Sequence, residues 1–169
     1  MKETPQQYAE RVVSYVEGRE PLQVLQATPK KLAALLKGKS KKQLTTRPEA
    51  DKWSVTEVAA HFADAEVAIA WRFRQILSTN GVAIQGYDQN AWAAAFDYAH
   101  RDPRQSIESF AALRTANVAL LKSVPRKLWE NYGMHSERGK ESVARVASMV
   151  AGHDLNHLRQ IEAILKPKR

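Results

Sequence analysis

His153 and His157 stand four residues apart in a helical pattern that runs from about Ser142 to Leu165. On a helix that spacing puts both imidazoles on one face, roughly 5–6 Å apart at Cβ, close enough to grip one ion. Val143, Val146, Val150, Ile161 and Ile164 recur on the same stripe. The pair therefore occupies positions where a bundle helix would place Leu or Ile, and it is predicted to point into the core. Buried imidazoles must be neutral and hydrogen-bonded, or bound to something. A third histidine, His61, lies on the apolar stripe of another long helical segment. Three neutral imidazoles on two core helices meet the ligand requirement of Zn²⁺, Ni²⁺ or a similar divalent ion. Structural zinc sites usually close with a fourth protein ligand, so three ligands without cysteine point to a catalytic site with room for water or substrate.

The elements that must position these rings read as helix almost throughout. Pro5 to Glu17 forms a first amphipathic piece, and Pro21 to Leu36 a second. A break is predicted in the second near Thr28-Pro29, because the residue before proline avoids helical geometry. A polar link from Gly38 to Lys52 follows. Trp53-Ser54-Val55-Thr56-Glu57-Val58 then combines a capping box, Ser54 with Glu57, and a hydrophobic staple, Trp53 with Val58. Helix is predicted from there to about Leu77, with Val58, Phe62, Ala65, Ile69, Phe73 and Ile76 as its stripe. Asp88 to Ala95 reads as a short helix. Asp102-Pro103 caps a further helix to about Ser123. Pro125 to Glu130 adds one turn, and Asn131 to Lys140 reads as a loop into the last helix. No strand-like alternation and no repeat is visible. The expected architecture is all-α: residues 1–169 as one domain, a four-helix bundle of up-and-down type with an extra N-terminal helical piece.

Composition narrows the function classes. The 169 residues contain no cysteine, which excludes disulfides, thiolate ligands and a cysteine nucleophile. Any thiol must come from outside. No apolar run reaches membrane-spanning length and the N-terminus has no signal-peptide core, so a cytoplasmic location is expected. The net charge of +8 permits anionic partners. The lysines at 30, 31, 37, 39, 41 and 42, and Lys166, Lys168 and Arg169 at the end, lack an interleaved aromatic platform. They read as solvated surface, and no nucleic-acid partner is expected.

Taken together, these residues resemble the DinB superfamily. The likeness runs from about Thr28 to Leu165. It includes Trp53-Ser54 through His61, Arg74 to Leu77, Tyr87-Asp88-Gln89 before Trp92, Phe110 to Arg114, His135 to Gly139, and Gly152-His153-Asp154 through His157-Leu158. The resemblance implies a four-helix bundle of unusual handedness that often forms a homodimer. It implies a divalent metal held by His61, His153 and His157. It also implies an enzyme acting on small molecules, either a hydrolase or a transferase using a low-molecular-weight thiol.

On this reading the ion lowers the pKa of a water or an incoming thiol for attack on a small electrophile. The alternative is a non-catalytic bundle acting as a dimeric binding or structural protein. Asp64, one turn past His61, and His135, before the last helix, are candidate catalytic groups. Asp154 is a surface or helix-pairing group, or a support for the metal ligands. Glu66 with Arg74, and Asp88 with Arg114, are candidate buried ion pairs. His100 reads as structural, and Trp53 and Trp92 as core or pocket wall. The segment His153-x-x-x-His157 resembles the zinc-protease HExxH motif, but Asp154 replaces the Glu and no third ligand follows.

Overall fold

A computed structural model describes residues 3–166. Lys168 and Arg169 of the basic tail lie outside them. Helix α1 spans Pro5–Ser14, α2 Pro21–Leu36, α3 Lys41–Thr45, α4 Val55–Ser78, α5 Gln89–Ala95, α6 Pro103–Ser123 and α7 Val143–Leu165. Short 3₁₀ turns cover Tyr98–His100 and Arg126–Glu130. Three strands complete the chain: β1 Val82–Ile84, β2 Tyr132–His135 and β3 Gly139–Ser142.

Four helices, α2, α4, α6 and α7, make the bundle. Phe62 packs on Phe110 with ring centroids 4.9 Å apart, Glu66 pairs with Arg114, and Arg74 bonds Asn117, so α4 and α6 run the same way. Helix α7 runs against them. Its C-terminal Leu158 and Ile161 share one cluster with Val58, Phe62 and Phe110, while its N-terminal Val143, Val146 and Val150 share the other with Ile69, Phe73 and Ile76. The four-helix bundle is the fold expected from the sequence. Its up-and-down alternation is interrupted once, because residues 79–102 return along the bundle before α6 begins.

Local sequence explains the helix starts. Ser54 accepts from the Glu57 amide while the Glu57 carboxylate accepts from the Ser54 amide at 2.8 Å, the expected capping box. Arg47 grips the same carboxylate from the preceding link. That link, expected to be a polar connection, contains α3. Asp88, Asp102 and Ser142 cap α5, α6 and α7.

Helix α2 does not break at Pro29. Proline has no N–H to give the carbonyl four residues earlier, Leu25. That oxygen accepts instead from Arg114 Nη1 at 3.2 Å. A tertiary bond replaces the missing helical one.

The absence of strands expected from the sequence is corrected: β1, β2 and β3 form a sheet in that order, β1 parallel to β2 and β2 antiparallel to β3. Gly139, at φ +74°, closes the three-residue β2–β3 turn in the left-handed region. Gly133 lets β1 and β2 approach, since a Cβ there would lie 2.2 Å from Ile84 Cδ1. At Gly152 the same reasoning fixes α1, because a Cβ would lie 1.8 Å from the Val12 carbonyl oxygen. Arg11 Nη1 donates to Asn156 beside this crossing.

Candidate metal centre

His61 stands two turns into α4, where the bundle interior continues through Phe62 and Ala65. His153 and His157 stand one turn apart on α7. The three rings converge: one nitrogen from each lies within 4.8 Å of the others. His61 Nε2 and His153 Nε2 are 2.9 Å apart. Two metal bonds of about 2.0–2.1 Å at a tetrahedral angle need about 3.3 Å, so a small ring adjustment admits an ion.

The electrostatics suit ligation. His61 is 1% exposed, and burial followed by the neighbouring His157 and His153 holds its pKa well below the ordinary imidazole value. Burial and His153 likewise push His157 down to about 3. Rings held neutral at pH 7 keep a lone pair for a metal. His157 Nδ1 lies 2.7 Å from Gln160 Oε1, and an amide oxygen can only accept. The proton is therefore on Nδ1, and the Nε2 lone pair is left for the cluster. Such partners fix the tautomer of metal-binding histidines. His61 Nδ1 is buried with no hydrogen-bond partner.

Asp154 lies beneath His153, with Oδ1 3.9 Å from its Nδ1. It is fully buried and pairs with Arg114, which also takes both oxygens of Glu66. Burial works to raise the Asp154 carboxyl, but Arg114 and then His153 outweigh it and hold it below its usual value. Asn117 donates to Glu66 at 2.8 Å and accepts from Arg74 at 2.9 Å. The pairings expected of Glu66 with Arg74 and of Asp88 with Arg114 are thus replaced. Arg114 is the hub, Arg74 reaches Glu66 only through Asn117, and Asp88 spends its carboxylate on the α5 amides.

A cavity of about 760 Å³ opens beside the rings, with His61, His153, Ala65, Ile69 and Met149 in its wall. Tyr87, stacked on Trp92 at 4.2 Å, closes another side. A larger, more open groove of about 1460 Å³ lies between α2–α3 and the start of α6. None of His61, His153 or His157 lines it, and its basic residues are largely solvated.

The two catalytic candidates separate. His135 lines the cavity, carried there by β2. Its Nδ1 accepts from the Glu137 amide at 3.1 Å, which leaves the proton of a neutral ring on Nε2. His135 therefore presents a donor and not a base. Asp64 accepts two bonds from Arg101, at 2.8 and 3.0 Å, and is not among the cavity-lining residues. His100 pairs with Asp97 at the surface. Trp53 packs on His61, with centroids 5.1 Å apart, and against the core cluster of Phe62 and Phe110. Arg72 and Gln160 are site-building residues that the sequence reading passed over, whereas Arg114 was expected in an ion pair but with a different acid. Gln160 had a signal, its i+3 spacing from His157.

Comparison with known proteins fits this geometry. The sequence profile of the DinB superfamily matches residues 25–161. The chain belongs to the DinB superfamily. Two relatives carry the name "Putative metal-dependent hydrolase". One, from Oceanobacillus iheyensis, is 27% identical over 126 residues, 75% of this chain and 73% of its own. The other, YfiT of Bacillus subtilis, is 27% identical over 142 residues, 83% of this chain and 79% of its own. The solved structure of YfiT, described as a probable metal-dependent hydrolase with an unusual four-helix bundle topology, superposes with a TM-score of 0.81. That match covers 85% of this chain and 83% of YfiT at 25% identity. No helix among the described residues is long and apolar enough to cross a membrane.

Proposed function

We propose that this DinB-superfamily protein is a metal-dependent hydrolase of small electrophilic substrates, with His61, His153 and His157 as the protein ligands of a zinc or nickel ion. The observation that carries this reading is the convergence of three imidazoles from two helices, two of them, His61 and His153, on the wall of a 760 Å³ cavity. An ion there supplies Lewis-acid chemistry, lowering the pKa of a water or thiol and polarising a substrate oxygen. The chain's own residues do the rest. Gln160 fixes the His157 tautomer, and the Arg114–Asp154 pair supports the helix face that carries His153. Phe62, Ala65 and Ile69 give the site apolar walls that restrict water. His135 offers its Nε2–H to a substrate acceptor.

A thiol-S-transferase is the variant of this reading in which a low-molecular-weight thiol replaces water. The lack of any cysteine means that such a thiol is a diffusible co-substrate. The protein is further read as one bundle domain, cytoplasmic and homodimeric. The exposed pair Val67 and Trp71, one turn apart on α4 and 51% and 64% accessible, supports the dimer.

The test is a panel of activated esters and amides, run with zinc- or nickel-loaded protein. A parallel arm offers an aryl halide with and without a small thiol. Turnover that is lost on chelation and in His153→Ala upholds the reading, and the responsive arm decides between water and thiol. Turnover indifferent to chelator and to His153→Ala overturns it.

A further inference from the structure

One cation in the cavity is unexplained by packing or pairing. Arg72 is 5% exposed and lines the same cavity as His61 and His153. Among the described residues the one other buried arginine, Arg114, has carboxylate partners. Arg114 holds Glu66 and Asp154, and largely buried Arg138 holds both oxygens of Glu141. Among the described residues no carboxylate lies within 4.0 Å of Arg72, and its guanidinium makes no hydrogen bond. A buried charge with no direct partner is expensive. Proteins keep such groups where a ligand completes them.

A second unpaired donor lies beside it. His135 is 3% exposed, and its Nε2 has no partner. Burial, then the cations Arg138 and Arg72, push this imidazole down to about 4. The fold brings the two side chains together. Gly133 of β2 faces Ile76 of α4, its Cβ position 3.2 Å from Ile76 Cγ1. His135, two residues on, shares the Gly133 face of the strand, and Arg72 lies one turn back along α4. The acids at this end are Asp88, Glu137 and Glu141, and Glu141 gives both of its oxygens to Arg138. Asp88 is committed to the α5 cap, and none of the three touches Arg72.

We infer that Arg72 and His135 form an oxyanion subsite, so that the substrate of the proposed enzyme carries a carboxylate or phosphate group at the end remote from its reacting bond. A planar fork of N–H donors with an adjacent imidazole N–H matches either group. Eleven residues separate His61 from Arg72 on α4, about three turns and about 16 Å between Cα atoms, nearly on one face. The guanidinium reaches partway back along that distance. The anion and the scissile bond are therefore several bonds apart, which selects an elongated substrate and disfavours a compact one. This inference deepens the hydrolase reading and rests on it for the word substrate, but the subsite itself is testable without an ion.

The experiment titrates butyrate, butyramide and inorganic phosphate into the chelator-treated, metal-free full chain, followed by the arginine Nε–Hε resonances. Saturable shifts with butyrate or phosphate, and at least tenfold weaker binding of butyramide, are expected. The tighter of the two anions identifies the group. Arg72→Met should weaken anion binding at least tenfold, Arg72→Lys less, and His135→Gln by a smaller factor. Should Arg72→Met fail to fold, the butyrate and butyramide comparison on the unaltered chain decides. No saturable binding of either anion, equal binding of butyrate and butyramide, or undiminished binding by a folded Arg72→Met would overturn the subsite. Because the metal-free chain is used, loss of the hydrolase reading would leave these outcomes unchanged.

Discussion

Arg114 Nη1 donates to the carbonyl oxygen of Leu25, the oxygen that Pro29 leaves without its helical partner. The same guanidinium holds Glu66 and Asp154, so one side chain stitches α2, α4, α6 and α7 together at the level of the histidines. Both carboxylates would be stranded by Arg114→Met. A loss of about 3–5 kcal/mol is expected for breaking a buried network from one side. Urea unfolding at pH 7 measures it, and a loss below about 1 kcal/mol would mean that the network is not what holds the helices.

Gln160 bears on the proposed metal centre through its single bond to His157. Gln160→Leu keeps the side-chain volume close to the original and removes the acceptor. Affinity for zinc should fall about 10–100-fold, with the melting transition little changed. Competition with a chromogenic chelator reads the affinity directly, and an unchanged value would show that the tautomer is fixed by other means.

Gly152 is where α1 crosses α7, and no side chain fits between them. Gly152→Ala must push Val12 away or bend α7. Overpacking of this kind costs about 1–3 kcal/mol. Amide exchange should show α1 losing protection before the bundle does. If α1 kept its protection at wild-type stability, the close approach would be refuted.

The pH dependence of stability has a definite sign. His135 titrates near 4 in the folded chain and near 6.5 when unfolded. Between those values the unfolded state binds the extra proton, so stability is full above about pH 6.5 and declines as pH falls toward 4. His135→Gln should flatten part of that decline. Urea midpoints at pH 7, 5.5 and 4.5 for both chains provide the comparison, and parallel profiles would assign the decline to other groups.

The fold and the histidine cluster were legible in the sequence because both follow helical periodicity. His153 and His157 sit on the Val146–Val150–Ile161 stripe, and the Ser54–Glu57 box marks the start of the helix that carries His61. What escaped the sequence obeys no such period. Strand β2 turns Gly133 and His135 inward and Met134 outward, so its buried positions are not apolar and hydrophobic alternation cannot reveal them. Helix α2 survives Pro29 through a bond from a residue 89 positions away, which local preference cannot anticipate. Arg72 falls on the buried stripe of α4, where its charge made it look like surface. Asp64 was drawn toward the site by its spacing from His61, yet Arg101 claims it.

The central claim is that His61, His153 and His157 together hold one ion. The direct measurement is elemental analysis of protein purified without a nickel column, loaded with Zn²⁺ or Ni²⁺ and then freed of loose metal, beside His153→Ala treated the same way. One ion per wild-type chain, and close to none in a His153→Ala variant that keeps its helical circular dichroism, is expected. No stoichiometric ion in the wild type, or the same content in both chains, would contradict it.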